Sequence, residues 1–142
     1  MGCEMGKTKV VLDTNILISS FGWSGKPRII FEKCLNEELD LVTSPNQIGE
    51  LKRVIGYPKF QFTEKQKAMF ISIILDIATV VEIPGQVHVI ADDPDDDLIL
   101  ETAIVGKVDY LISGDPHLLK VGEFMNVKII TANEFLRRDK KS

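Results

Sequence analysis

The chain has 142 residues, with 17 Lys and Arg against 21 Asp and Glu for a formal charge of −4, and 44% of its residues are hydrophobic. That size and balance describe a single domain, residues 1–142 with a core over 9–136, that can bury a core unaided; they exclude disordered and fibrous chains. Cys3 and Cys34 form neither a disulfide framework nor a zinc motif. No apolar run approaches the ~18 residues of a membrane span, and the start MGCEMGKTK has no signal-peptide core and has Gly6 where a myristoylation signal needs Ser or Thr. A cytoplasmic location and no membrane contact are expected.

Asp92, Asp93, Asp95, Asp96 and Asp97 supply five of the 21 acids. Without them 17 basic residues face 16 acidic ones, so the excess negative charge is local and does not by itself exclude a nucleic-acid partner.

Val10, Val11 and Leu12 form a short apolar run typical of a strand buried on both faces of a parallel sheet, ending at Asp13-Thr14-Asn15. A Gly-Trp-Ser-Gly-Lys-Pro loop at 22–27 precedes a helix with the stripe Ile30, Phe31, Cys34 and Leu35. Leu41 and Val42 make a second strand closed by Ser44-Pro45, and Ile48, Leu51 and Ile55 recur at helical spacing with Glu50 on the flank. Thr63 to Gln66 reads as a capping box before a helix marked by Met69, Phe70, Ile73, Ile74 and Ile77. Thr79 to Ile83 is a third strand.

The acidic segment 92–97 contains Pro94 and feeds a helix carrying Leu98, Ile99, Thr102, Ala103 and Val105. Acids suit a helix N-terminus, but one or two would meet that need. Tyr110 to Ile112 is a fourth strand ending in Ser113-Gly114-Asp115, and Val127 to Ile130 a fifth, followed by a short helix through Leu136 and a polar tail from Arg137. The alternation predicts a three-layer α/β/α sandwich around a parallel sheet of about five strands.

Ligands of such sheets bind outside the carboxyl ends of the strands. Asp13 and Asp115 each follow a strand directly, and Glu50 and Asp97 lie near the starts of helices that follow strand-loop segments. Four carboxylates converging there would repel one another without a cation. Carboxylate oxygens suit Mg²⁺ or Mn²⁺, and such ions bridge a phosphodiester to an acidic pocket, activate water and stabilise the leaving oxygen.

VVLDTNILI, SPNQIGEL, ADDPDDDLILETA and YLISGDPHLL, in that order from Val10 to Leu136, resemble the PIN-domain nucleases, most closely their VapC-like toxin branch in bacteria and archaea. The resemblance implies a Mg²⁺- or Mn²⁺-dependent endoribonuclease whose acidic quartet falls on Asp13, Glu50, Asp97 and Asp115, with Thr14, Asn15 and Ser113 orienting those acids. It also implies an RNA substrate, an antitoxin partner and a homodimer. The third acid is drawn from Asp93, Asp95, Asp96 and Asp97; the 18-residue spacing to Asp115 favours Asp97, leaving Asp93 and Asp96 as supporting or capping residues. Glu101, one turn after Asp97, would face the same way.

Other readings fit less well. An EF-hand loop fails because Leu98 and Ile104 stand where its glycine and bidentate glutamate belong. A haloacid-dehalogenase-like phosphatase needs a second Asp where Asn15 stands, a receiver domain needs its paired acids near the N-terminus, and a non-catalytic PIN-like scaffold needs none of the four acids. His88 and His117 form no metal motif and read as surface or loop residues. Trp23 either stacks on a base or covers the core. Lys52 and Arg53 are placed to steady a phosphate backbone.

Overall fold

The computed structural model describes residues 6–89 and 93–139. Six strands form one sheet in the order β3-β2-β1-β4-β6-β5, with β1 Thr8–Leu12, β2 Leu39–Thr43, β3 Thr79–Val80, β4 Tyr110–Ile112, β5 Glu123–Phe124 and β6 Val127–Ile130. The first four and β6 run parallel, and β5 closes the edge antiparallel to β6.

Among the described residues, seven α-helices connect and cover the strands: α1 Thr14–Gly22, α2 Lys26–Leu35, α3 Pro45–Ile55, α4 Glu64–Ile77, α5 Pro94–Val105, α6 Pro116–Val121 and α7 Ala132–Asp139. Side chains alternate across the sheet. Val10 and Leu12 therefore join Leu17, Ile30, Leu51, Phe70 and Phe135 on one face, whereas Val11 joins Ile99, Leu100, Ala103 and Leu118 on the other. These are the three layers predicted. No helix among the described residues is long and apolar enough to cross a membrane.

Several elements differ from expectation. Helix α1 occupies the stretch after Asp13 for which no element was expected: Leu17 and Ile18 are buried, but the polar residues between its apolar positions leave no clear helical period. The third strand pairs only at Thr79 and Val80, since after the Val81 N–H bonds the Thr43 carbonyl the chain leaves the sheet edge. Helix α6 and strand β5 are too short to show a period. Helix α7 continues to Asp139, taking in Arg137 and Arg138 of the expected tail. In α4, Phe70 and Ile74 face the core, whereas Met69 is 51% exposed because it lies about 100° round the helix from Phe70.

The order of strands positions the site. From β1 the chain builds outward through β2 to β3 and then returns to place β4 on the other side of β1. The carboxyl ends of β1 and β4 thus flank the topological switch point, the usual crevice of an open α/β sheet. Buried Gln47 braces this edge, donating from Nε2 to the Leu12 carbonyl at 2.6 Å and accepting from Thr43 Oγ1 at 2.6 Å. Gln47→Ala leaves both groups buried without that partner and is expected to cost about 1–3 kcal/mol in chemical denaturation; an unchanged midpoint would show that the brace carries no stability.

Candidate active site

Asp13 leaves β1 and caps α1. Its Oδ1 accepts from the Thr14 N–H at 2.7 Å and its Oδ2 from Ser113 Oγ at 2.7 Å. Ser113 Oγ accepts in turn from the Asp115 N–H at 2.9 Å. The ends of the two strands are also joined through the main chain, since the Asp13 N–H bonds the Ile112 carbonyl at 3.0 Å. Asp115 caps α6, accepting at Oδ1 from the His117 N–H at 2.7 Å, with His117 Nδ1 at 3.3 Å. Glu50, half-buried on α3, accepts at Oε1 from Thr14 Oγ1 at 2.6 Å.

Three of the four expected acids, Asp13, Glu50 and Asp115, therefore line one cleft of about 290 Å³, together with Thr14, Asn15, Asp93, Asp95 and Asp96. Ser113 stands behind Asp13 and holds it.

Asp97 is not among the residues lining that cleft. Its Oδ1 accepts from the Val89 N–H at 2.9 Å. Glu101 does face the same way and takes the same loop, accepting from the N–H groups of Gly85, Gln86 and Val87 at 2.9, 3.1 and 3.3 Å. Successive helical positions differ by about 100°, so Asp96 and Asp97 cannot aim at one point. Helix α5 brings Asp95 and Asp96 to the cleft, and of the two Asp96 is the buried one, only 6% exposed. Asp93 lines the cleft and caps α5, accepting from the Asp95 N–H at 3.0 Å, and Asp95 pairs with Arg53 at 3.3 Å. Asp92 lies outside the described residues.

The burial and crowding of these acids oppose ionisation. Asp96 is pushed up to about 8, first by burial and then by the charges of Asp115, Asp93 and Asp13. Asp13 is raised by burial, with Asp115 and Asp93 adding to the rise, although the bonds from Ser113 and Thr14 pull it back. Glu50 is raised by burial against the opposing bond from Thr14.

The donor set fits a divalent cation. Among the described residues, Asp96 Oδ2 is the buried side-chain polar atom without a hydrogen-bond partner. One ligand atom each from Asp96, Asp115 and His117 also falls within 4.8 Å of the others. His117, read from sequence as a surface residue, is exposed but adjoins this group; its place two residues after Asp115, in the first turn of α6, was the available signal.

A PIN-domain family model matches residues 9–117, and the chain belongs to that family, whose members are typically nucleases. No curated protein sequence matches it significantly. Among solved structures, a chain of VapBC2 from Rickettsia felis, crystallised bound to a DNA fragment from their promoter, aligns with a TM-score of 0.61 at 14% identity over 86% of this chain and 97% of that one. PAE2754 from Pyrobaculum aerophilum aligns with a TM-score of 0.63 at 14% identity over 97% of this chain and 92% of that one. Both likenesses are of fold.

The raised pKa of Asp96 has a consequence for the cation-free protein. The folded state keeps a proton that the unfolded chain releases above the ordinary value of 3.8, so this contribution to stability is complete below 3.8 and is lost as pH rises towards about 8. In the presence of a chelator, Asp96→Asn is expected to raise Tm at pH 8 by roughly 4 °C or more and to flatten its fall between pH 4 and 8. An unchanged slope would mean that Asp96 ionises normally.

Proposed function

We propose that this chain is a Mg²⁺- or Mn²⁺-dependent endoribonuclease, with a single catalytic domain over residues 9–136, in which Asp13, Glu50, Asp96 and Asp115 hold the metal. The carrying observation is Asp96, which has a buried oxygen without a partner and offers a ligand atom within 4.8 Å of those of Asp115 and His117, in the cleft that Asp13 and Glu50 also line. Asp96 replaces Asp97 in the quartet expected from sequence, because the Asp97 carboxylate holds the Val89 backbone.

Bound there, the cation would supply positive charge for the phosphate oxygens and activation of the attacking water. The protein supplies position. Ser113 and the Thr14 N–H fix both oxygens of Asp13, and the Thr14 hydroxyl fixes Glu50, so these acids cannot rotate away from one another. Arg53 and Lys59, which line the same cleft, attract the phosphate backbone, and Asn15 offers an amide to it.

The preference for RNA rests on the likeness to PIN-domain nucleases of the VapC-like branch. A toxin role with an antitoxin partner belongs to the same reading and is supported by the shared fold with the VapBC2 chain; a cytoplasmic homodimer as the working form rests on the likeness to the family alone.

Incubation with labelled single-stranded RNA and Mn²⁺ is expected to give cleavage that a chelator abolishes and that Asp13→Asn or Asp96→Asn lowers about a hundredfold or more. Asp97→Asn is expected to retain activity within about fivefold while losing about 1–3 kcal/mol of stability, because it weakens the hold on the 85–89 loop. Cleavage that survives Asp96→Asn but not Asp97→Asn would return the third metal position to Asp97. Cleavage indifferent to chelator and to Asp13→Asn would overturn the reading.

A further inference from the structure

Trp23 is the only tryptophan of the chain and is 52% exposed, so it does not serve the core. It is nevertheless held in place: its ring meets those of Phe60 and Phe62 edge-on, each at 6.2 Å, and Phe60 and Phe62 stack on one another at 5.9 Å with 13° between their planes. Phe62 leans on Phe21 at 5.1 Å, and Phe21 stacks on buried Phe70 at 4.4 Å. A Cβ at Gly22 would stand 2.9 Å from the Phe62 ring, so the backbone approaches this cluster as closely as a residue without a side chain permits. The result is a rigid aromatic ledge with an open outer face.

The ledge is continuous with the acidic cleft, because Phe60 belongs to both. Cations adjoin this junction: Lys59 Nζ lies 5.2 Å from the centre of the Phe60 ring, and Arg53 donates to the Tyr57 hydroxyl at 2.9 Å and pairs with Asp95 at 3.3 Å, both residues lining the cleft. An aromatic face, positive charge and carboxylates thus adjoin one another at the surface. A nucleotide chain presents the complementary series of base and backbone phosphate. A duplex does not, since its base faces are already stacked on one another.

We propose that Trp23, supported by Phe60 and Phe62, is the platform on which a base close to the cleaved bond stacks, so that the site takes single strands. Trp23 is thereby a positioning residue for the substrate. This inference rests on the nuclease reading above and deepens it.

The emission of Trp23 reports the contact directly. The full wild-type chain, held in Ca²⁺, would be titrated with a dye-labelled single-stranded RNA decamer and with the corresponding duplex. Saturable quenching by the single strand and none by the duplex is expected, and dye anisotropy should show binding about tenfold weaker in Trp23→Ala and largely restored in Trp23→Phe. In the Mn²⁺ cleavage assay, Trp23→Ala should raise KM about tenfold with little change in kcat. Strand binding that leaves Trp23 emission unmoved, or that is equal in Trp23→Ala, would overturn the platform while leaving the nuclease reading intact. Quenching by single strands in a chain that cleaves no RNA would leave the platform standing and overturn the nuclease reading. An emission change that follows protein concentration and ignores the strand would assign the ledge to contact between copies of the chain and overturn the inference.

Discussion

Asp13, Asp96 and Asp115 crowd one edge of the sheet and repel one another, and much of the local structure holds them there against that repulsion. Asp13 and Asp115 accept backbone N–H groups at the starts of α1 and α6, and Ser113 bonds both the side chain of Asp13 and the backbone of Asp115. Their positions are further fixed by adjacent parallel strands whose apolar residues, from Val10 to Leu12 and at Leu111 and Ile112, are fully buried. The rigid sheet can therefore offset a charge cluster that would push loops apart. The residual strain is concentrated on Asp96, whose buried oxygen has no partner, and a divalent cation would relieve it.

Helix α5 divides its acids between two tasks. Asp93 and Asp96 serve the cleft, whereas Asp97 and Glu101 collect four backbone N–H groups of residues 85–89. The loop has few other reasons to stay: Gly85, Gln86, His88 and Val89 are exposed. Ile99, Leu100 and Ala103 pack α5 onto the sheet, and with the helix so turned Asp96 lines the cleft while Asp97 and Glu101 meet this loop. The acidic run that dominates the net charge of −4 thus partly lines the cleft and partly clamps a loop.

This division explains what could be read from the residues alone. Asp13 and Asp115 were legible because each ends a short apolar run, and a parallel sheet puts such ends on one edge. Glu50 was legible from the phase of Ile48, Leu51 and Ile55. Which acids of the run line the cleft was not, because Asp93, Asp95, Asp96 and Asp97 all suit a helix N-terminus and only tertiary contacts, such as the bond from Val89 to Asp97, separate them. Helix α1 escaped notice for a related reason: the burial of Leu17 and Ile18 depends on packing that no simple period announces. Trp23 left two readings open because its neighbours Phe60 and Phe62 are nearly forty residues away in the chain.

On this reading the carboxylate cluster is incomplete until a cation joins it. Observing the ¹³C resonance of the Asp96 carboxyl group through a pH titration tests it most directly. The midpoint is expected near 8 in chelator and to fall by several pH units when Mg²⁺ is added. A midpoint in the ordinary carboxylate range that Mg²⁺ leaves unmoved would contradict it.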